Sequence, residues 1–371
     1  MKITGIDLYP LNIPFKPERV MKVSYGVISE IENVVIAIHT NEDLTGWGEA
    51  APLLPFNGES QDSVMRFLKV FSKQLINQDP AGIGRIIDLL DTVTGNLAAK
   101  AAIDFALYDL LGKAAHMPVY RLFGGPRALE APMHATVPIR EPHEMAAEAK
   151  KWVDAGFGML EFKLGRVGGD VDIDMEVQRV KSVREAVGGR VKLVADANTG
   201  WNLSSALAVL RRIQDLDVYV EQPAKDIPGL ARIKKAVSVP IIADESCQSP
   251  GNVMELIRQD AADLVSVKPV KVGGLSKAAQ IIAIAEAAGL GYRYDTHVST
   301  RLACTASLHL ALSTSNQIGG GFTHYTRQAR DIVRSGGLKL DGGTARLEDP
   351  DAPGFGVELD LAGLGNPIRI E

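Results

Sequence analysis

LVSVKPVKVGG, residues 264–274, places a lysine where a buried strand should carry none. Leu264, Val265, Val267 and Val270 have the apolar, β-branched character of a strand covered on both faces. An unpaired ammonium among them is costly, so Lys268 must face a partner. Outward from this stretch the same unit recurs. A helix is predicted over 275–288, and the preceding segments VPIIADES (239–246), DVYVEQP (217–223), VKLVADAN (191–198), GMLEFKLG (158–165) and APMHATV (131–137) are each followed by a helical pattern. Those helices are expected near 251–259, near 229–237, over 203–215, over 172–187 and near 141–155. GYRYDTHV (291–298) and TRLACTASLHLAL (300–312) continue the series, and QIGGGFTHY (317–325) offers an eighth strand. Seven strand–helix units in a row point to a barrel.

Asn202 and Ser204 are available as helix caps, and Gly188, Gly189 and Gly289 as helix stops. Residues before about 125 mix strand-like pieces (ITGIDLYPL, ENVVIAIHT, TGWGEAAP) with helices. In KAAIDFALYDLLGK (100–113), Ile103, Ala106, Leu107, Leu110 and Leu111 fall on one face. The fold class expected is therefore α/β: a (β/α)7β TIM-like barrel over 126–325, capped by an α+β domain over 1–125. The C-terminal tail, 326–371, carries GGLKLDGG and GFGVELD and is expected to pack back on the capping domain.

The 371 residues carry a net charge of −5 with no run of like charges, which argues against nucleic acid and anionic membranes as partners. The N-terminus alternates like a strand rather than like a signal peptide, and no apolar run is long enough to span a bilayer, so a cytoplasmic protein is expected. Cys247 and Cys304 lack the clustered partners of a zinc site or disulfide framework and read as reduced and incidental.

Barrel enzymes place their chemistry at the C-terminal ends of the strands. Here those ends carry Lys163, Asp196, Glu221, Asp244, Lys268, and Asp295 with His297. From Lys163 through His297, leaving Asp295 aside, the spacings are 33, 25, 23, 24 and 29 residues, one strand–helix unit each time. Three carboxylates from successive strands would repel one another unless a cation joins them, and an all-oxygen trio of Asp196, Glu221 and Asp244 suits Mg²⁺. Lys163 precedes the trio and Lys268 follows it, a layout for taking a proton from one face of a carbon and returning it to the other. The acid so handled would be a small-molecule carboxylate whose enediolate charge the metal helps to hold. Burial, a nearby cation and a second lysine should each lower a lysine pKa toward working pH. Lys268 is thus expected to face a metal-bound acid.

At these residues the chain resembles the enolase superfamily, in the mandelate racemase/muconate lactonizing enzyme family and its muconate lactonizing enzyme-like branch. GWGEA, AIDFALYDLLGK, LFGG, VADANTGW, VEQP, ADES and KVGG carry the resemblance in order along nearly the whole chain. It implies Asp196, Glu221 and Asp244 as metal ligands, Lys163 and Lys268 as acid/base groups, and Asn198 and Glu245 as their neighbours. It also implies capping loops near 15–30 and 50–60 that bring Tyr25 and Phe56 to the substrate, and a homo-oligomer, dimer or octamer.

Three departures qualify it. The branch usually has Lys-x-Lys on the second strand, where this chain has Glu161 before Lys163. A seventh-strand glutamate is replaced by DTHVS, whose His297 resembles the base of mandelate racemases without the aspartate that backs it there. The Asp-x-Asp of dipeptide epimerases is absent from GGGFTHYTRQ (319–328), which argues against dipeptides. The activity expected is Mg²⁺-dependent racemisation or epimerisation of an amino acid or amino-acid derivative. Alternatives are a muconate-like cycloisomerase, a hydro-lyase on a hydroxy acid, a Schiff-base aldolase using Lys268, or a non-catalytic barrel.

The blander readings are a structural ion pair from Lys268 to Glu245 or Glu221, and His297 as a hydrogen-bonded filler. Trp47 and Trp201 read as packing residues, and the glycines of GWGEA and KVGG as marks of tight turns and close approach.

Overall fold

The computed structural model describes residues 1–315 and 317–371. Near the N-terminus, Ile3–Pro14 pairs antiparallel with Glu30–Thr40, which pairs in turn with Thr45–Ala50. Ile6, Leu8, Val34, Ile36 and Ile38 on this sheet join one apolar core with Val64, Leu68 and Phe71 of the helix Gln61–Leu75. Ser60 starts that helix in a reciprocal capping pair with Ser63, which satisfies two backbone N–H groups.

Eight parallel strands follow in unbroken sequence order: His134–Val137, Met159–Lys163, Lys192–Asp196, Val218–Glu221, Ile241–Ala243, Leu264–Val267, Gly291–Asp295 and Gln317–Gly321. A parallel bridge between Met133 and Gly320 brings the eighth strand back to the first and closes the barrel. Seven of the strands run into helices, and five of these helices have starts set by a side-chain cap. Asp172, Asn202, Asp226, Ser249 and Thr300 each accept a backbone N–H of the first turn. Of the two expected caps, Asn202 acts, and Ser204 lies inside its helix, Leu203–Ile213. The helix expected near 229–237 begins earlier, at Ile227, because Asp226 caps it and Pro228 fits its first turn.

The helix Leu97–Ala114 joins the two halves of the molecule. Its apolar residues were expected on one face, yet it is buried on nearly all sides, between the strand Thr45–Ala50 and the barrel helices Pro269–Val272 and Leu275–Ala287. The glycines of GWGEA permit that contact: a Cβ on Gly46 or Gly48 would lie 2.1 or 1.9 Å from the carbonyl oxygen of Ala106 or Ala102. The buried carboxylates of this helix face backbone donors across the junction. Asp104 accepts from Leu275 N at 2.5 Å, and Asp109 from Trp47 N at 2.9 Å and Phe355 N at 2.8 Å.

In the tail, Leu338–Asp341 pairs with Thr344–Leu347, which pairs with Glu130–Pro132 just ahead of the barrel. The last strand, Ile368–Ile370, adds to the N-terminal sheet beside Ile3–Pro14. Cys247 and Cys304 are free and buried. Among the described residues no helix is long and apolar enough to cross a membrane.

Candidate active site

Strand register places the ionisable residues. Lys163 is directly opposite Asp196 in the ladder between the second and third strands, and Glu221 is opposite Asp196 in the next. All strand-end groups named from the sequence converge on the C-terminal mouth of the barrel and are buried.

Lys163 Nζ lies 2.5 Å from Asp196 Oδ2 and 2.5 Å from Glu161 Oε1. Lys268 Nζ lies 2.8 Å from Asp244 Oδ2 and 3.0 Å from Asp295 Oδ2, with the Phe56 ring centroid 4.9 Å away. Its partners are therefore not Glu245 or Glu221. Asp244 follows the fifth strand and Asp295 ends the seventh, the two immediate neighbours of the sixth, whereas Glu221 is one strand further off. Burial alone lowers both lysine pKa values, as expected from the sequence. Asp196 and Glu161 around Lys163, and Asp244 and Asp295 around Lys268, more than reverse it and hold both well above the ordinary lysine value.

Three cationic or basic residues of the site were not singled out from the sequence. Lys271, one turn after Lys268, sends Nζ to Asp244 Oδ1 at 2.6 Å and to the Ser266 carbonyl at 3.1 Å. Arg293 is fully buried, and its guanidinium touches Glu161, Glu221 Oε2 at 3.0 Å and Asp295 Oδ2 at 3.1 Å. His134 stands 3.4 Å from Glu161 Oε2. Burial pushes its pKa down to about 4. A usable signal for Arg293 was present: residues 293 and 295 share one face of their strand, so both point inward.

The three carboxylates of the expected trio do not stand alike. Oxygens of Asp196, Glu221 and Glu161 come within 4.8 Å of one another, while Asp244 is engaged by Lys268 and Lys271. Glu221 is fully buried and neither of its oxygens receives a hydrogen bond. Burial and the charges of Asp196, Glu161 and Asp244 push its pKa well above the carboxylate range, against the pull of Arg293. A cluster of buried carboxylates, one of which touches Arg293 but accepts no hydrogen bond, fits a hard, oxygen-seeking divalent cation. Beside it, Asn198 donates Nδ2 to Glu245 Oε1 at 3.2 Å. Burial, with the charges of Asp244 and Asp196, raises the Glu245 pKa to about 8.

Above the lysines the capping loops close a cavity of about 20 Å³, room for roughly one water. Tyr25 and Phe56 line it together with Lys163, Lys268, Asn198, Asp295 and His297, as do the apolar side chains of Met21, Val23, Ile28 and Leu53. A wider cleft of about 290 Å³ lies outside, sharing Tyr25, Ile28, Leu53 and Val298 with the cavity. His297 directs Nε2 at the Ala51 carbonyl, 2.7 Å away, and its ring lies 4.8 Å from that of Phe56.

Residues 11–124 match the family model "Mandelate racemase / muconate lactonizing enzyme, N-terminal domain", and residues 144–363 match "Enolase C-terminal domain-like". The chain belongs to the mandelate racemase/muconate lactonizing enzyme family of the enolase superfamily. It is 34% identical over 366 residues to the L-Ala-D/L-Glu epimerase of Bacillus subtilis, covering 96% of this chain and 97% of that one. It is 33% identical to the N-succinyl-L-Arg/Lys racemase of Bacillus cereus, covering 97% and 96%. The crystal structure of a dipeptide epimerase from Cytophaga hutchinsonii complexed with Mg and D-Ala-L-Val superposes with a TM-score of 0.93 at 31% identity, covering 100% of this chain and 99% of that one. Like these relatives, this member of the superfamily is an isomerase.

Proposed function

We propose that the protein racemises or epimerises an amino-acid derivative by a 1,1-proton transfer at the carbon α to its carboxylate. One observation carries this reading: Lys163 and Lys268, from strands on opposite sides of the barrel, line a single cavity beside a cluster of carboxylates. Asp196, Glu221 and Asp244 would hold a magnesium ion, whose charge offsets theirs and steadies negative charge developing on the substrate carboxylate.

The chain's own residues do the rest. Nζ of one lysine takes the α-proton, so a C–H bond breaks, an N–H bond forms and the electron pair passes into the carboxylate as an enediolate. Nζ of the other lysine returns a proton to the opposite face of the same carbon. The lysine that acts as base must enter the step neutral, and its partner protonated. Met21, Val23, Ile28, Leu53 and Phe56 exclude water around the carbon, which protects the intermediate from stray proton exchange. With room for only about one water in the cavity, the loops that carry Tyr25 and Phe56 must part to admit substrate.

The test is incubation of the enzyme with Mg²⁺ and a library of N-modified amino acids, proline derivatives and hydroxy acids in D₂O. A gain of about one dalton at the α-carbon supports the proposal. Loss of water would replace it with a hydro-lyase, and no change in any acid would count against both.

A further inference from the structure

We infer that His297 is a substrate-reading hydrogen-bond acceptor, which uses Nδ1 to recognise an uncharged N–H beside the reacting carbon, as in an amino acid whose nitrogen is acylated. This rests on the proposed proton transfer for the identity of the reacting carbon, but the state of the histidine follows from its contacts alone.

The Ala51 carbonyl can only accept, so the Nε2 atom 2.7 Å from it must carry the hydrogen. A neutral imidazole with Nε2–H has a bare, accepting Nδ1. That atom is buried and without a hydrogen-bond partner, in a residue only 6% exposed that lines the cavity. Burial and the nearby Lys268 push the pKa of His297 down to about 4, which agrees with a neutral ring. His297 therefore has no proton to spare for a leaving hydroxyl, and it is poorly placed as a base, since a proton gained on Nδ1 would create a buried cation near Lys268.

What Nδ1 lacks is a donor. The cavity distinguishes among donors. Asp295 is the one carboxylate lining it, and Lys268 at 3.0 Å and Arg293 at 3.1 Å already engage it. A free ammonium on the substrate would meet two lysines and no unengaged carboxylate. An amide N–H meets a neutral acceptor, with the Phe56 ring 4.8 Å from the imidazole to cover its apolar flank.

Two measurements on the full-length, Mg²⁺-supplemented enzyme test this. In the first, α-deuterium exchange is compared for an N-acetyl amino acid and its N-acetyl-N-methyl analogue, which lacks the N–H. The wild type should favour the N–H substrate by about five- to tenfold in kcat/KM, the worth of one neutral hydrogen bond. His297→Phe should bring the ratio close to one, and His297→Gln, which keeps an acceptor, should restore part of it. Loosening of the Ala51 contact would slow both substrates alike and leave the ratio unchanged. An unchanged ratio in His297→Phe, or preference for a free α-amino acid, overturns the inference.

In the second, ¹⁵N NMR of histidine-labelled protein should show His297 Nδ1 as an unprotonated nitrogen that shifts when the N-acetyl acid binds and shifts less with the N-methyl analogue. A protonated Nδ1, or equal shifts with both acids, also overturns it. Failure of every acid to exchange deuterium would defeat the proposed function, while the NMR result would still decide the role of His297.

Discussion

Arg293 and Glu161, on the seventh and second strands, form an ion pair inside the barrel with neither side chain exposed to solvent. Through it the two active-site lysines belong to one chain of contacts: Lys163 to Glu161, Glu161 to Arg293, Arg293 to Asp295 and Asp295 to Lys268. On the second strand Glu161 stands two residues before Lys163, and a cation that compensates it comes from across the barrel. Removing one partner of a buried pair leaves the other charge uncompensated, at a typical cost of about 3–5 kcal/mol. Arg293→Met should therefore lower stability by about that amount, and adding Glu161→Gln to it should recover a substantial part. Urea denaturation midpoints of the single and double variants check this, and strictly additive losses would show that the two residues are not coupled.

The two lysines should be separable by stereochemistry. Because Lys163 and Lys268 rise from opposite sides of the barrel, each would face one side of a substrate carbon held between them. Lys268→Ala should stop α-deuterium exchange from one enantiomer, with a fall of about 10²–10⁴, and leave part of the exchange from the other; Lys163→Ala should show the reverse preference. Loss from both enantiomers in one variant and from neither in the other would mean that one lysine performs both transfers, and equal loss from both enantiomers in both variants would mean that neither lysine serves one face alone.

The barrel and the convergence of its strand-end residues were legible in the sequence because they depend on repetition. Most βα units supply apolar strand residues, a polar strand end and a helix cap, and the unit length brings successive polar ends to one rim. Contacts across the barrel have no such period. Alternation with Asp295 marks Arg293 as inward-pointing, but its partner Glu161 is not legible until the strands close, and the partners of Lys268 follow from which strands neighbour it, a fact of closure rather than of spacing. Lys271 was missed because the short helix Pro269–Val272 was not anticipated, and it is this turn that brings the lysine back to Asp244. The helix Leu97–Ala114 shows the same limit: its pattern marks one apolar face, but two partners bury it from both sides.

Magnesium should register as stability even without substrate. An ion that binds the folded chain alone stabilises it by mass action, by about 2.7 kcal/mol at a hundredfold excess over Kd. The thermal midpoint should rise with added Mg²⁺ and fall back on chelation. Glu221→Gln should abolish most of the rise, because it removes the buried carboxylate that has no hydrogen bond of its own. Because the same substitution also removes the charge that Glu221 presents to Arg293, the quantity compared is the Mg²⁺-induced rise within each protein and not the starting midpoint. A full Mg²⁺-induced rise in Glu221→Gln would remove Glu221 from the ligand set.

Acid stability should be governed partly by a histidine remote from the active site. His309, in the helix Arg301–Leu312, accepts the Tyr120 N–H on Nδ1 at 3.3 Å and so presents Nε2–H to the Phe355 carbonyl at 3.4 Å. A second proton would have to enter at Nδ1, against the Tyr120 N–H, in a fully buried setting. Burial accordingly pushes its pKa down to about 4 from an unfolded value near 6.5. With the folded pKa below the unfolded one, the unfolded chain takes up the proton first. The stabilising contribution is whole above pH 6.5, declines as pH falls toward 4 and is spent below that. At about 1.4 kcal/mol per pH unit, the loss is about 3 kcal/mol. His134, His297 and His324 are depressed in the same direction, so the comparison that isolates His309 is with His309→Gln, which lacks the titrating ring. Between pH 6.5 and 4 the variant should lose stability less steeply than the wild type by that margin, read from urea midpoints at each pH. Parallel slopes for the two proteins would show that His309 is protonated in the folded state as readily as in the unfolded one.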